Sequence, residues 1–431
     1  MMKVEIIKNQ DEIIFDFKIE KEDQYNPSEK YSFGKSRVIV KIPGIEKVEI
    51  HPDLLALSII LMCHPFVGNK LTIPFTVSEK FLTNVRKVLS RYKIETSSKK
   101  DLVKEREIIQ NGRPSLAFSG GIDSTAALAI MPRNTVPVFM NRPLKNKSLY
   151  KSDAAINSCE FLDQIGYEVK NISCDLEYLR DPVGFPTDLS HAVPAILMAD
   201  ILRLDSIAFG TVLESAFGTG HDKFRDYGKG SHWKFYGTLF NAVGMPICLP
   251  VSGMSEVGTA IICEIDPLGY LGQSCIRGTW KEPCKMCWKC CRKGLLNLAR
   301  GVSDDPINLD KILKSNEVKI KLKSVPISHE NIMEYSVKRI EDNYHPFIPL
   351  LRKRVVRSVD DLSFLEKWYK PSLSFVPDKY KRIIKENILK YMEPMSEDEE
   401  SKINNWNMVE FIKSTRENKI LDEIEDFFII S

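Results

Sequence analysis

Residues 114–131, PSLAFSGGIDSTAALAIM, constrain this chain more than any other stretch. The run 115–118 follows a proline and precedes glycines, and it predicts a short buried strand. Ser119-Gly120-Gly121 cannot continue that strand. Asp123-Ser124-Thr125 opens a helix, Ala126 to Ile130 propagate it, and Pro132 stops it. Strand, glycine-rich turn and helix N-terminus together suit an anion. The turn presents N–H groups, glycine lets an anion reach the backbone, and the helix dipole favours negative charge there. Ser119, Ser124 and Thr125 add hydroxyl donors. The common P-loop is excluded, because it needs a lysine after its second glycine and none follows Gly121.

The chain beyond this stretch alternates strands and helices, which argues for an α/β fold with a parallel sheet. Strands are expected over 135–140, 168–174, 206–210 and 245–250, and helices over 150–165, 190–204 and 255–263. Ligands of such sheets sit beyond the carboxyl ends of the strands. That gathers Ser119 to Ser124, Met140 to Arg142 and Gly210 to Ser215 around one crevice. The polar, glycine-rich segment 217–233, with His221, Asp222 and Arg225, reads as a loop or lid over it; the plainer alternative is a disordered surface loop.

Residues 1–105 form a separate region in this reading, an α+β domain or a β-rich extension. KVEIIK, EIIFDFKI, SRVIVKI and KVEIHP alternate apolar and polar side chains, the strand period, and Asn26-Pro27-Ser28 and Pro43-Gly44 divide them. Asp53 is expected to cap a helix over 54–62, and a second helix is expected over 78–92. The stretch 96–113 is a polar linker, so the second domain is drawn at 106–300. Residues 301–431 make a third, mostly helical domain. Arg352, Lys353, Arg354 and Arg357 form a basic face there and 397–400 an acidic one, each expected to be solvated. The final Phe427-Phe428-Ile429-Ile430 is too apolar for a free tail.

Composition narrows the class. A chain of 431 residues, 43% hydrophobic and 28% charged, suits a soluble globular protein of two or three domains. A net charge of +3 gives no global field for nucleic acid. The N-terminus lacks a secretory apolar segment, and the longest apolar run, near 54–63, is too short for a bilayer. The expected place is the cytoplasm, where ten cysteines stay reduced. Five of them crowd between Cys275 and Cys291, which favours metal over disulfides. Cys275, Cys284, Cys287 and Cys290 fall as C-x8-C-x2-C-x2-C. Four thiolates close a tetrahedron and complete the shell of a structural zinc; an iron–sulfur cluster takes the same four and is the alternative. Arg277, Lys281, Lys285, Lys289, Arg292 and Lys293 surround them and are expected to stabilise thiolates. Cys291 is left out, and Cys63, Cys159, Cys174, Cys248 and Cys263 lie in apolar stretches that suit a core.

Ser119-Gly120-Gly121-Ile122-Asp123-Ser124 resembles the PP-loop, Ser-Gly-Gly-x-Asp-Ser, of the ATP pyrophosphatase superfamily. Add the cysteine spacing, the Gln273-Ser274-Cys275 lead-in, the MSEVGTAII segment and Arg292 after the last cysteine. Residues 114–295 then resemble the 7-cyano-7-deazaguanine synthase family, QueC. The resemblance implies a doubly wound parallel sheet that cleaves ATP to AMP and pyrophosphate. It implies ATP and magnesium at Phe118, Ser119, Gly120, Gly121, Ile122, Asp123, Ser124, Thr125, Met140, Gly210 and Thr211, with Ser119, Asp123 and Ser124 catalytic. Asp123 has two candidate roles, orienting magnesium or capping the loop, and the residues do not choose. It implies adenylation of the carboxylate of 7-carboxy-7-deazaguanine. Ammonia then displaces AMP to give the amide, and a second ATP drives dehydration to the nitrile. Arg142, His191, Glu214, Asp222 and Arg225 are the candidate substrate contacts.

The departures are informative. The family has Gly-Gln-Arg-His where this chain has Met140-Asn141-Arg142-Pro143, and its Pro-Ala-Arg-Asn and Tyr-Pro-Asp-Cys-Arg stretches are matched poorly by 185–192 and 221–225. ATP handling is therefore expected to be kept and substrate handling changed. Relatives in bacterial antiviral loci join the deazaguanine carboxylate to a protein amine, and long flanks suit a macromolecular acceptor. The expected partners are a deazaguanine carboxylate and an acceptor protein, with no membrane and no nucleic acid; a homodimer is the candidate oligomer. Two rivals remain. A tRNA-thiolating PP-loop enzyme needs a catalytic cysteine pair or iron–sulfur cluster and a basic RNA face. A non-enzymatic defence protein would keep the nucleotide fold for sensing.

Overall fold

The computed structural model describes residues 1–20, 30–96, 103–107, 109–144, 150–273, 275–302, 308–357, 359–409 and 415–430. Asn26-Pro27-Ser28, Ser274 and part of the 96–113 linker lie outside the described residues. The chain divides into two compact units. The first combines Met1–Ser119, Pro132–Phe209 and Gly228–Cys248; the second combines Gly120–Met131, Gly210–Tyr227 and Leu249–Ser431. These units do not follow the segments 1–105, 106–300 and 301–431.

The first unit is built on β1 (Met2–Lys8), β2 (Glu12–Ile19), β3 (Ser32–Phe33), β4 (Arg37–Lys41), β5 (Lys70–Ile73), β6 (Lys93–Thr96), β7 (Arg113–Ala117), β8 (Val136–Asn141), β9 (Lys170–Cys174), β10 (Arg180–Asp181), β11 (Leu204–Ala208) and β12 (Ile247–Cys248). β3 and β10 pair as a small ribbon, and the other ten form one sheet in the order β12-β11-β7-β8-β9-β4-β2-β1-β5-β6. The run β12-β11-β7-β8-β9 is parallel throughout. Its winding starts at β7, proceeds to β8 and β9 on one side and resumes with β11 and β12 on the other. The topological switch point therefore lies between β7 and β11.

β4 pairs antiparallel with β9, Val40 opposite Cys174, so the alternating hairpin β1–β2–β4 extends the same sheet. Alternation on β1 and β2 puts Met2, Val4, Ile13, Phe15 and Phe17 in the core. The KVEIHP stretch is not a strand: Gly44, at φ +71, turns the chain into a 3-10 turn over Ile45–Lys47. β5 and β6 carry only four residues each, too few to show a period.

The helix Pro52–Cys63 is buried at every position from Asp53 to Cys63. Asp53 does not cap it. His51 does, through its ring, and Asp53 instead accepts from the backbone and hydroxyl of Ser78 at 2.8 and 2.6 Å. Ser78 caps the next helix, Glu79–Val88, which ends short of Tyr92. The helix expected over 190–204 is broken into a 3-10 turn, Ser190–Ala192, and Val193–Leu197, and Arg203 adopts φ +54 just before β11. The 245–250 strand shrinks to β12.

The second unit is helical. The helices Ile122–Ile130, Glu256–Ile265, Trp288–Arg300, Glu330–Arg339, Phe347–Val355, Asp378–Ile388 and Glu397–Asn404 dominate it. One core gathers Leu295, Val318, Leu322, Met333, Val337, Phe347 and Leu351 with Cys275, Cys287 and Cys290. Phe427 and Phe428 pack on it, as their apolarity requires. The basic face is solvated only in part: Lys353 is exposed, but Arg354 is fully buried and donates to the Ser324 carbonyl, and Arg357 pairs with buried Glu330 at 3.2 Å. The acidic run forms the first turn of Glu397–Asn404, capped by the reciprocal Ser396–Glu399 bonds, where the dipole favours carboxylates. Among the described residues, no helix is long and apolar enough to cross a membrane.

Candidate functional site

Phe118 is buried at the end of β7 and donates its backbone N–H to the Val138 carbonyl. Gly120 follows at φ +72, a conformation that favours glycine, and Gly121 is extended as the N-cap of Ile122–Ile130. Having no side chain, Gly121 leaves that cap without a side-chain hydrogen bond. Gln273 N–H donates to the Gly120 carbonyl at 2.9 Å, and the Ser124 hydroxyl donates to the Gly121 carbonyl at 2.9 Å. Gly210, after β11, lies against the same helix N-terminus. A Cβ there would come 2.9 Å from the Ser124 nitrogen and 3.0 Å from the Asp123 carbonyl carbon. Only glycine allows that approach, so the loops that follow the two switch-point strands meet at Asp123 and Ser124. Thr211 follows directly, half-buried. Thr125 is fully buried, and its hydroxyl has no partner among the described residues.

Beneath the loop, the second unit buries a charged cluster. Asp123 Oδ1 accepts from Thr259 Oγ1 at 2.9 Å and faces Lys293 Nζ at 3.4 Å. Burial lowers the Lys293 ammonium, but Asp123 and Glu256 outweigh it and hold the lysine above its ordinary range. Arg292 grips Glu256 with two bonds, 2.7 and 2.6 Å, both side chains being almost wholly buried. His329 Nε2 lies 3.8 Å from Glu256, and burial drives this histidine down to about 3, so it is neutral near pH 7. His329 itself sits at φ +62, with the His221 ring 5.2 Å away. Glu214 accepts from Asn331 at 2.8 Å and from the Glu256 backbone at 3.2 Å. Burial and the neighbouring Glu256 push Glu214 up to about 8.

Arg292 and Lys293 follow the last cysteines in sequence, but both turn toward carboxylates instead. Glu256 and Thr259 stand in the MSEVGTAII segment but no spacing singles them out, and His329 and Asn331 carry no local signal at all, because their partners lie far off in sequence. A pair of consecutive basic residues inside an otherwise apolar helix face is the trace that was there to find.

The other expected contacts divide between the units. In the first, Met140 is buried in β8. Arg142, just past β8, lies 3.4 Å over the Tyr150 ring and pairs with buried Glu177 at 3.1 Å. His191 stands between the rings of Phe185 and Phe209, driven down to about 4 by burial. In the second, Asp222 and Arg225 are exposed and pair with each other at 2.7 Å. Their segment is no free lid. Phe217 stacks on Phe224, Phe224 N–H donates to the Trp406 carbonyl, Met408 N–H to the Asp222 carbonyl and the Trp406 ring to the His221 carbonyl. Residues 231–233 already belong to the helix Ser231–Ala242.

The sulfurs of Cys275, Cys284, Cys287 and Cys290 all lie within 4.8 Å of one another. The Cys284 and Cys290 sulfurs are 3.7 Å apart, against about 3.8 Å for two ligands on a tetrahedral Zn–S shell. Cys287 caps Trp288–Arg300, accepting from Cys290 N–H, and Cys275 accepts from Cys284 N–H at 3.3 Å. Crowding sets the thiols against each other. Hydrogen bonds from Cys287 and Cys290 pull Cys275 down, while Cys275 pushes Cys287 up to about 11 and Cys290 up as well. The donor set can hold a metal ion. Cys291 is buried away from it, its thiol pushed up to about 12 by burial. Of the surrounding bases, Arg277 pairs with Glu317 at 2.5 Å, and Lys281 lies 3.6 Å over Tyr270.

Residues 235–407 match the model of a family of unknown function (DUF6395). No curated protein and no solved structure matches the chain.

Proposed function

We propose that the protein is a QueC-like PP-loop enzyme that uses ATP to adenylate the carboxylate of a 7-carboxy-7-deazaguanine-type substrate, with zinc in the four-cysteine group. The observation that carries the reading is the approach of Gly210 to the Asp123–Ser124 backbone. Two glycine-bearing loops, from the strands flanking the switch point, converge on one helix N-terminus. That arrangement suits a polyphosphate. The residues assigned to ATP in the second unit are Gly120 to Thr125, Gly210 and Thr211, with Phe118 and Ser119 leading into them along the chain. ATP supplies the leaving group that a carboxylate lacks. Ser119 and the amides of Gly120 to Ser124 would hold the departing pyrophosphate, which is electrostatic stabilisation of developing charge. Among the described residues, the bonds of Asp123 go to Thr259 and Lys293 rather than to the loop amides. Of its two candidate roles, orienting magnesium is the one we assign.

The acceptor amine comes from ammonia or from a partner protein. The test is incubation with 7-carboxy-7-deazaguanine, ATP and ammonium, followed by small-molecule and intact-protein mass spectrometry. A nitrile or amide product is the expected outcome with ammonia, and an amide-linked protein adduct marks a protein acceptor. AMP release indifferent to the deazaguanine would remove the substrate assignment. A thiolated tRNA would favour the first rival, and ATP binding without turnover the sensing one.

A further inference from the structure

The loop 119–124 contains no lysine, yet a lysine reaches it from 170 residues away. Lys293 is 2% exposed, so packing rather than solvent fixes its ammonium. It lies in the second turn of Trp288–Arg300. Cys287 and Cys290 anchor the first turn of that helix, and Arg292 beside it is tied to Glu256 by two bonds. Lys293 and Thr259 both address the same oxygen, Asp123 Oδ1. Oδ2 takes no hydrogen bond from the described residues, and the Asp123 side chain keeps 19% of its surface open. A carboxylate beside a polyphosphate would repel it. A buried cation on one oxygen offsets that charge and leaves the other oxygen oriented for a divalent ion.

Resting on the ATP reading above, we propose that Lys293 is a positioning residue: with Thr259 it clamps Asp123 Oδ1, so that Oδ2 ligates the divalent cation of the bound nucleotide. Lys293 thus takes the place of the lysine that the loop itself lacks, acting through Asp123 rather than on the phosphates.

The test uses the full chain with Lys293→Met, Lys293→Arg and Thr259→Val. Binding of Mn2+ in the presence of a non-hydrolysable ATP analogue is followed by electron paramagnetic resonance. Lys293→Met should weaken Mn2+ binding about tenfold or more, the scale of one hydrogen bond to a charged group. Lys293→Arg should restore part of the loss, and zinc content should stay constant. Thr259→Val, which keeps the shape, should show a smaller loss and carries the test if Lys293→Met does not fold. Hydrogen exchange of residues 119–126 without nucleotide is the second readout. Faster exchange in Lys293→Met supports the clamp even if the wild type binds no nucleotide, an outcome that would defeat the ATP reading alone. Unchanged exchange in the variants, or unchanged Mn2+ affinity where the wild type binds the analogue, overturns the proposal.

Discussion

Glu214 and Glu256 share one buried site and are driven in opposite directions. Burial raises both, but Lys293 and Arg292 outweigh it at Glu256 and hold that carboxylate far below its usual range. At Glu214, burial and the neighbouring Glu256 outweigh the Asn331 bond and the pull of Arg292, and the carboxyl is pushed up to about 8. It therefore keeps a proton near pH 7 that the unfolded chain has lost. The stability it contributes is complete below the unfolded value of about 4.3 and is lost as pH rises to about 8. Glu214→Gln should remove this dependence. Unfolding free energies measured from about pH 5 to about pH 8 should fall less in the variant, by a difference on the order of 4 kcal/mol. Parallel curves would mean that Glu214 is not the titrating group. At this scale the sequence revealed what local spacing encodes. Asp123 stands in a six-residue motif and the four cysteines within sixteen residues, and both were legible. Lys293, Thr259 and Asn331 gain their meaning from partners more than a hundred residues away, and no period or motif joins them.

The helix Trp288–Arg300 does two jobs. Its first turn holds two of the four thiols, and its second delivers Arg292 and Lys293 to Glu256 and Asp123. Zinc analysis should give about one metal per chain in a colourless protein. Cys287→Ser should lose that metal and lower the melting temperature sharply, because the thiols share a core with Leu295, Met333 and Phe347 and metal binding there is folding energy. A brown, iron-rich protein would replace zinc with a cluster. The elements read best were those with strong local signals. β7 takes in Pro114 and stops before the two glycines, and Ile122–Ile130 lies between those glycines and Pro132; Glu256–Ile265 is capped by Ser255. The 190–204 stretch was apolar enough for one helix, but the chain turns at Arg203 to enter β11, and tertiary structure overrode propensity. The Phe217 loop looked free because its composition is polar; aromatic stacking and backbone bonds to Trp406 and Met408 hold it.

Across the molecule, the N-terminal strands and the central parallel run form one ten-stranded sheet. Alternation identified β1, β2 and β4 as strands but not their neighbour, because the Val40–Cys174 pairing joins segments far apart in sequence. The parallel run places its switch point between β7 and β11, and that topology is the frame of the functional reading. The claim it supports is cleavage of ATP at its α-phosphate. The direct measurement is turnover of ATP labelled on that phosphate, with 7-carboxy-7-deazaguanine and ammonium present, the labelled nucleotides separated and the released pyrophosphate assayed alongside. The account predicts AMP and pyrophosphate in equal amounts. It predicts rates lowered about 10²-fold in Ser119→Ala and Asp123→Ala, the scale of one lost transition-state stabiliser, and abolished in Gly210→Val, whose side chain would strike the Ser124 backbone. ADP and phosphate as products, or equal rates in the wild type and all three folded variants, would contradict it.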